Sequence, residues 1–145
     1  MTIVERVLFL QDIQVFEHTS TADLSFIAAI TEEVWLKPGE IIYNEGEPSN
    51  AMFLVLEGKV RIARQGQEVM VAGKKEAFGT WALFDDEPRV VTAEAITEAH
   101  LLRIDKEDFF ELLADHTDIT QSILKSLSKR LRNIMERVSV GNNKS

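Results

Sequence analysis

The sequence predicts a mainly β fold, a small β-barrel or jelly roll with helices at both ends. Between positions 34 and 104, short β-rich runs alternate with glycine-bearing turns. On either side of that stretch the apolar residues recur at helical instead of alternating spacing. At 145 residues the chain has room for one such domain and little room for a second. We read residues 1–145 as a single domain: a helical lead-in over 3–32, a barrel over 33–104, C-terminal helices over 105–139 and a tail over 140–145.

The lead-in carries Val4, Val7, Leu8, Ile13 and Phe16 at near-helical spacing, with a break around His18-Thr19-Ser20. Ser20 followed by Asp23 forms a capping arrangement, and Leu24, Ile27, Ala28 and Ile30 supply the apolar face behind it. Pro38-Gly39 then ends the helical pattern.

Six β-rich runs follow, at 41–43, 51–56, 60–63, 69–72, 90–96 and 101–104. In Lys59-Val60-Arg61-Ile62 every second side chain faces one side, as a half-buried strand requires. Turn signals separate the runs at Gly46, Gly58, Gln65-Gly66-Gln67 and Gly73.

After the barrel, Asp105 is placed to cap a helix bearing Phe109, Phe110, Leu112 and Leu113. A longer helix is predicted over 117–138. Its Leu124, Leu127, Leu131, Ile134 and Val138 are spaced 3, 4, 3, 4, an a/d seam of two heptads. That seam predicts a homodimer; the competing reading packs the same face on the barrel.

A formal net charge of -8 argues against nucleic acid as the default partner. Bases do gather at the C-terminal end (Lys125, Lys129, Arg130, Arg132, Arg137, Lys144), where they complement a helix dipole. They lack an interleaved set of base-reading side chains, so no direct nucleic-acid binding is expected. The absence of cysteine removes disulfides, thiolate zinc sites and cysteine nucleophiles. Apolar runs stay far below the ~20 residues of a membrane span, and the first residues carry no secretory pattern, so a cytoplasmic protein is expected. His18, His100 and His116 are scattered and suggest no metal site. No nucleophile elbow, phosphate loop or paired carboxylates emerge, and no enzyme is predicted. Trp35 and Trp81 read as packing residues, and Thr80 as a turn or capping hydroxyl.

The informative stretch spans residues 78–93, Phe78-Gly79-Thr80-Trp81-Ala82-Leu83-Phe84-Asp85-Asp86-Glu87-Pro88-Arg89-Val90-Val91-Thr92-Ala93. A leading glycine lets backbone N–H groups approach an anion closely. Arg89, returning to the same place, can bind a phosphate through its fork of donors. Alternatively Arg89 pairs with Asp85, Asp86 or Glu87 as a surface ion pair of little weight.

Here the chain resembles the cyclic-nucleotide-binding domain family. That family's phosphate-binding cassette is matched at Phe78, Gly79, Ala82, Leu83, Pro88, Arg89 and Thr92. Its glycine-marked turns are matched by Pro38-Gly39-Glu40, Glu45-Gly46-Glu47 and Leu56-Glu57-Gly58-Lys59-Val60. The resemblance implies a ligand, cAMP or cGMP, and no other cofactor. It implies that Arg89 neutralises the cyclic phosphate, that backbone N–H groups at Ala82 and Val90 bind its oxygens, and that Gly79 lets the ribose come close. The final helix would lie as a lid over the base, with Ile134 and Met135 nearest.

One position departs from the family. Thr80 stands where an acidic residue accepts the ribose 2′-OH, and exchanging a charge-assisted bond for a neutral one costs about 1–2 kcal/mol. Val90 and Val91 also replace two small residues, and their methyls would crowd the phosphate. The leading expectation is a nucleotide sensor read out by the C-terminal helix. The alternative is a module that has lost the nucleotide and serves as an interaction or dimerisation domain. No helix-turn-helix is legible before Ser145, so the effector is expected in a longer parent protein.

Overall fold

The computed structural model describes residues 1–143. Strand β3 (Ala51–Glu57) explains the layering, because it is buried on both faces. Phe53 and Val55 point one way, into a core shared with Val60, Ile62, Ala93 and Leu101. Met52, Leu54 and Leu56 point the other way, into a core shared with Phe16, Ile27, Phe109 and Ile119. A strand covered on both sides loses the polar alternation of a solvent-facing one, which is why this run is continuously apolar.

The remaining strands are β1 (Thr31–Leu36), β2 (Ile41–Tyr43), β4 (Val60–Arg64), β5 (Gln67–Ala72), β6 (Ala77–Phe78), β7 (Thr92–Ala95) and β8 (Ala99–Asp105). They form two antiparallel four-stranded sheets, ordered β1-β8-β3-β6 and β2-β7-β4-β5. Register follows side-chain facing: Val55 sits opposite Leu101 and Ile62 opposite Ala93, all four in the core between the sheets. The expected barrel is thus two facing sheets, the jelly-roll form, and not a closed cylinder.

The helices are α1 (Ile3–Leu10), α2 (Thr21–Ala29), α3 (Lys106–Asp115) and α4 (Thr117–Asn143), with a 3-10 turn at Gln14–Phe16. Ser20 Oγ accepts from Asp23 N–H at 3.1 Å, and Asp105 Oδ2 from Asp108 N–H at 3.1 Å, as the capping patterns predict. Among the described residues no helix is long and apolar enough to cross a membrane.

Three boundaries differ from the sequence expectation. The lead-in gives way to strand at Thr31, because β1 pairs with β8 from Thr31↔Ile104 to Leu36↔Ala99. Glu33, which reads as solvent-facing, is neutralised there by Arg6 at 3.4 Å and His100 at 3.0 Å. The run at 90–96 shortens to β7, leaving Val90 and Val91 ahead of the strand. Finally, α4 runs to Asn143, past the boundary at 139.

The start of α4 is held firmly. Ile119 and Ile123 are buried in the helical core, and the buried hydroxyls of Thr19 and Ser122 meet at 2.9 Å. From Ser128 to Val138 every residue is exposed. The expected seam therefore divides: Leu127 packs against the helical core, while Leu124, Leu131, Ile134 and Val138 face outward.

Candidate functional site

The segment after β6 straddles both cores. Phe78 is buried between the sheets, and Leu83 is buried among the helices. Between them the backbone must turn sharply, and Gly79 does so at φ +70°, in the left-handed region, as the cap of a 3-10 turn over Thr80–Leu83. With Gly79 as the cap, Thr80 does not perform the capping role the sequence suggests. The loop beyond is tied to α3: Lys106 Nζ reaches the Asp86 carboxylate at 2.9 Å and also the carbonyl of Asp85.

That loop delivers Arg89 to a fixed place. Its N–H donates to the Glu47 carbonyl and its carbonyl accepts from Gly46 N–H, both at 2.8 Å, clamping the backbone to the turn after β2. The side chain then turns inward and is only 7% exposed. Its Nη2 donates to the Ala51 carbonyl at 2.6 Å, and the guanidinium lies 3.9 Å above the Tyr43 ring. Its Nε is buried without a partner. The ion pair with the acidic loop is not made: Asp86 goes to Lys106, and Asp85 accepts from Glu87 N–H at 3.1 Å. Among the described residues no carboxylate pairs with Arg89.

Burial without a counter-charge has an electrostatic signature. The Arg89 pKa is lowered, chiefly by desolvation and further by Arg103, against the opposing pull of Tyr43 and Glu47. Burial likewise raises the Tyr43 phenol above its ordinary value, with Arg89 opposing.

A cavity of about 850 Å³ opens beside this cation. Gly79, Thr80, Ala82, Arg89 and Val90, all expected at the site, line it together. Two expectations need correction in detail. The Ala82 N–H is already engaged, donating to the Gly79 carbonyl at 3.1 Å within the 3-10 turn. Val91 packs toward the core between the sheets and Val90 is 63% exposed, so their methyls are largely turned aside.

The lid residues differ as well. Where α4 passes the cavity it presents Leu127 and Arg130, whereas Ile134 and Met135 lie exposed farther along and do not line it. Spacing on a helix identifies a face but not the turn that crosses a neighbour; here the anchored Ile119, Ser122 and Ile123 set that turn. Nor do the tryptophans pack inside. Trp35, 66% exposed, stacks on His100 at 4.6 Å. Trp81, 51% exposed, stands at the cavity wall with the Arg130 guanidinium 5.3 Å from its ring. Tyr43, Trp81 and Arg130 are thus site residues that sequence reasoning missed or misassigned; only the position of Trp81 inside the 78–93 stretch signalled one of them.

Chemically, this is a small-molecule pocket with a buried cation at one end and an aromatic ring beneath a second cation where α4 crosses it. Residues 33–116, more than half of the chain, match the model of the cyclic nucleotide-binding domain family. The chain is 33% identical over 118 residues to a CRP-like cAMP-activated global transcriptional regulator of Mycobacterium tuberculosis, covering 74% of this chain and 52% of that protein. It is 30% identical over 111 residues to lysophospholipase nte1 of Aspergillus terreus, covering 73% of this chain and 7% of that one. The N-terminal domain of a transcriptional regulator from Streptomyces coelicolor A3(2) has the same fold, with a TM-score of 0.82 at 28% identity over 87% of this chain and 94% of that one. The chain spans about half the length of the bacterial relative (52%) and a small part of the fungal one. With the cassette, the buried arginine and the two-sheet fold in the same register, the chain belongs to the cyclic nucleotide-binding domain family.

Proposed function

We propose that this domain is a regulatory sensor, not an enzyme, and that it binds a cyclic nucleotide, cAMP or cGMP, with its phosphate on Arg89. The single observation that supports this is the buried, unpaired guanidinium beside Gly79, with Nε unsatisfied. A cation held out of water without a counter-charge costs free energy that a bound anion offsets. The printed name of the mycobacterial relative, a cAMP-activated regulator, favours cAMP. The same reading puts the domain in the cytoplasm.

Readout follows from what the pocket touches. A ligand in contact with both the cassette and Leu127 or Arg130 binds tighter when α4 is docked there, and shifts the population toward that arrangement. Similar segments occur in a transcriptional regulator and in a lysophospholipase, so the output is that of the protein to which the domain is joined. We further propose that Leu124, Leu131, Ile134 and Val138 pair with a second copy; sedimentation as a monomer at high concentration would reject this.

A second reading has its own motivating observation. Thr80 offers no carboxylate, and the apolar residues of α4 beyond Leu127 are uncovered. On that reading the domain has lost the nucleotide and acts as an interaction module. Thermal unfolding in cAMP and in cGMP separates the two. A sensor gains roughly 2.7 kcal/mol of stability at a hundredfold excess over Kd, and Arg89→Ala abolishes that gain. An interaction module shows no shift with either nucleotide.

A further inference from the structure

Tyr43 ends β2 and is 6% exposed. Its ring carries the Arg89 guanidinium and packs against Phe53 and Phe78, at centroid distances of 6.1 and 6.2 Å. A phenylalanine would do all of this. The hydroxyl is what the packing does not explain.

That hydroxyl belongs to the cavity side of the residue, and the hydrogen bonds made by the described side chains include none from it. A Cβ built on Gly79 would stand 2.8 Å from Arg89 Nη1 and 3.5 Å from Tyr43 Oη. The two polar atoms therefore close on the same flank of the Gly79 turn, where only a glycine leaves space. The phenol is raised above its usual pKa by burial and remains a proton donor at neutral pH.

We propose that Tyr43 is a second side-chain donor to the anion at Arg89. Its O–H hydrogen-bonds one phosphate oxygen while the guanidinium takes another, and the ring keeps the guanidinium in place. A cyclic phosphodiester has two free oxygens sharing one charge, which suits one cationic and one neutral donor. This inference rests on reading Arg89 as the phosphate site.

The test uses a convenience of the sequence, its single tyrosine. Tyrosine labelled with 13C at Cζ gives one NMR resonance, followed in the full chain during titration with cAMP and cGMP. Calorimetry on Tyr43→Phe runs alongside. The proposal expects the resonance to move on binding and Tyr43→Phe to bind about tenfold or more weakly, with an unfolding temperature near that of the unsubstituted protein. Equal affinity in Tyr43→Phe, or a stationary resonance during binding, overturns the proposal and leaves Arg89 as the phosphate site. Failure of the unsubstituted protein to bind either nucleotide overturns the Arg89 reading and this inference with it. Should Tyr43→Phe fold poorly, the wild-type resonance decides alone.

Discussion

The guanidinium of Arg89 lies 3.9 Å above the ring of Tyr43, and neither side chain is more than 7% exposed. An aromatic face is a weak substitute for a carboxylate: it attracts the cation without neutralising it. The pair keeps Arg89 ordered while leaving its charge to be met by a ligand.

From this follows a separation of stability from binding. Because burial outweighs the partners of Arg89 and lowers its pKa, an apolar side chain of similar length should be no worse for the free fold. Arg89→Met should unfold at the same temperature as wild type or higher, while losing nucleotide-dependent stabilisation. A drop of several kcal/mol in chemical denaturation would show instead that the bond to the Ala51 carbonyl holds the fold.

A second prediction concerns alkaline pH. The folded phenol of Tyr43 is raised above its ordinary value of 10.0. As pH rises past that value the unfolded chain ionises first and gains relative to the fold. The contribution is complete below about pH 10 and is lost as pH climbs through the raised folded value. Wild type should lose more stability over this interval than Tyr43→Phe, measured by denaturant titration at each pH. Arg89 is present in both proteins, so the difference isolates the phenol.

Two glycines should behave differently. Gly79→Ala forces a left-handed residue (φ +70°) to carry a Cβ 2.8 Å from Arg89 Nη1, a flexible atom that can yield. It should cost about 1–2 kcal/mol of stability and weaken nucleotide binding by displacing the guanidinium. Gly58→Ala would set its Cβ 2.2 Å from the Glu98 carbonyl oxygen, which is backbone and cannot yield cheaply. Gly58→Ala should therefore be the more destabilising in thermal melts, although Gly58 lies outside the site.

Trp81 should report on the pocket. In a Trp35→Phe background it is the remaining tryptophan, with Arg130 5.3 Å from its ring. Nucleotide binding should change its emission, and Arg130→Ala should change the emission of the free protein. Calorimetric binding without any change in Trp81 emission would exclude the cavity wall at Trp81 from the ligand's contacts.

Much of this was legible in sequence where the cause is local. Val60 and Ile62 alternate because one strand face is buried, and Ser20 and Asp105 cap because their helices begin three residues before an exposed N–H. Gly79 and Arg89 were legible because a cassette keeps its spacing. What stayed hidden depends on distant partners. Strand β1 lacks apolar alternation, since Glu33 meets Arg6 and His100 there. Tyr43 becomes a site residue only when Arg89 folds over it. Arg130 replaces Ile134 and Met135 at the cavity because Thr19 and Ser122 fix where α4 starts across it. The two exposed indoles show that a large aromatic side chain does not by itself announce a core.

The most direct measurement is titration calorimetry of the domain with cAMP and with cGMP, with Arg89→Ala alongside. The account predicts saturable, one-to-one binding of one nucleotide and its loss in Arg89→Ala. No heat of binding from either nucleotide up to millimolar concentration would contradict the sensor, and binding undiminished in Arg89→Ala would contradict the phosphate site.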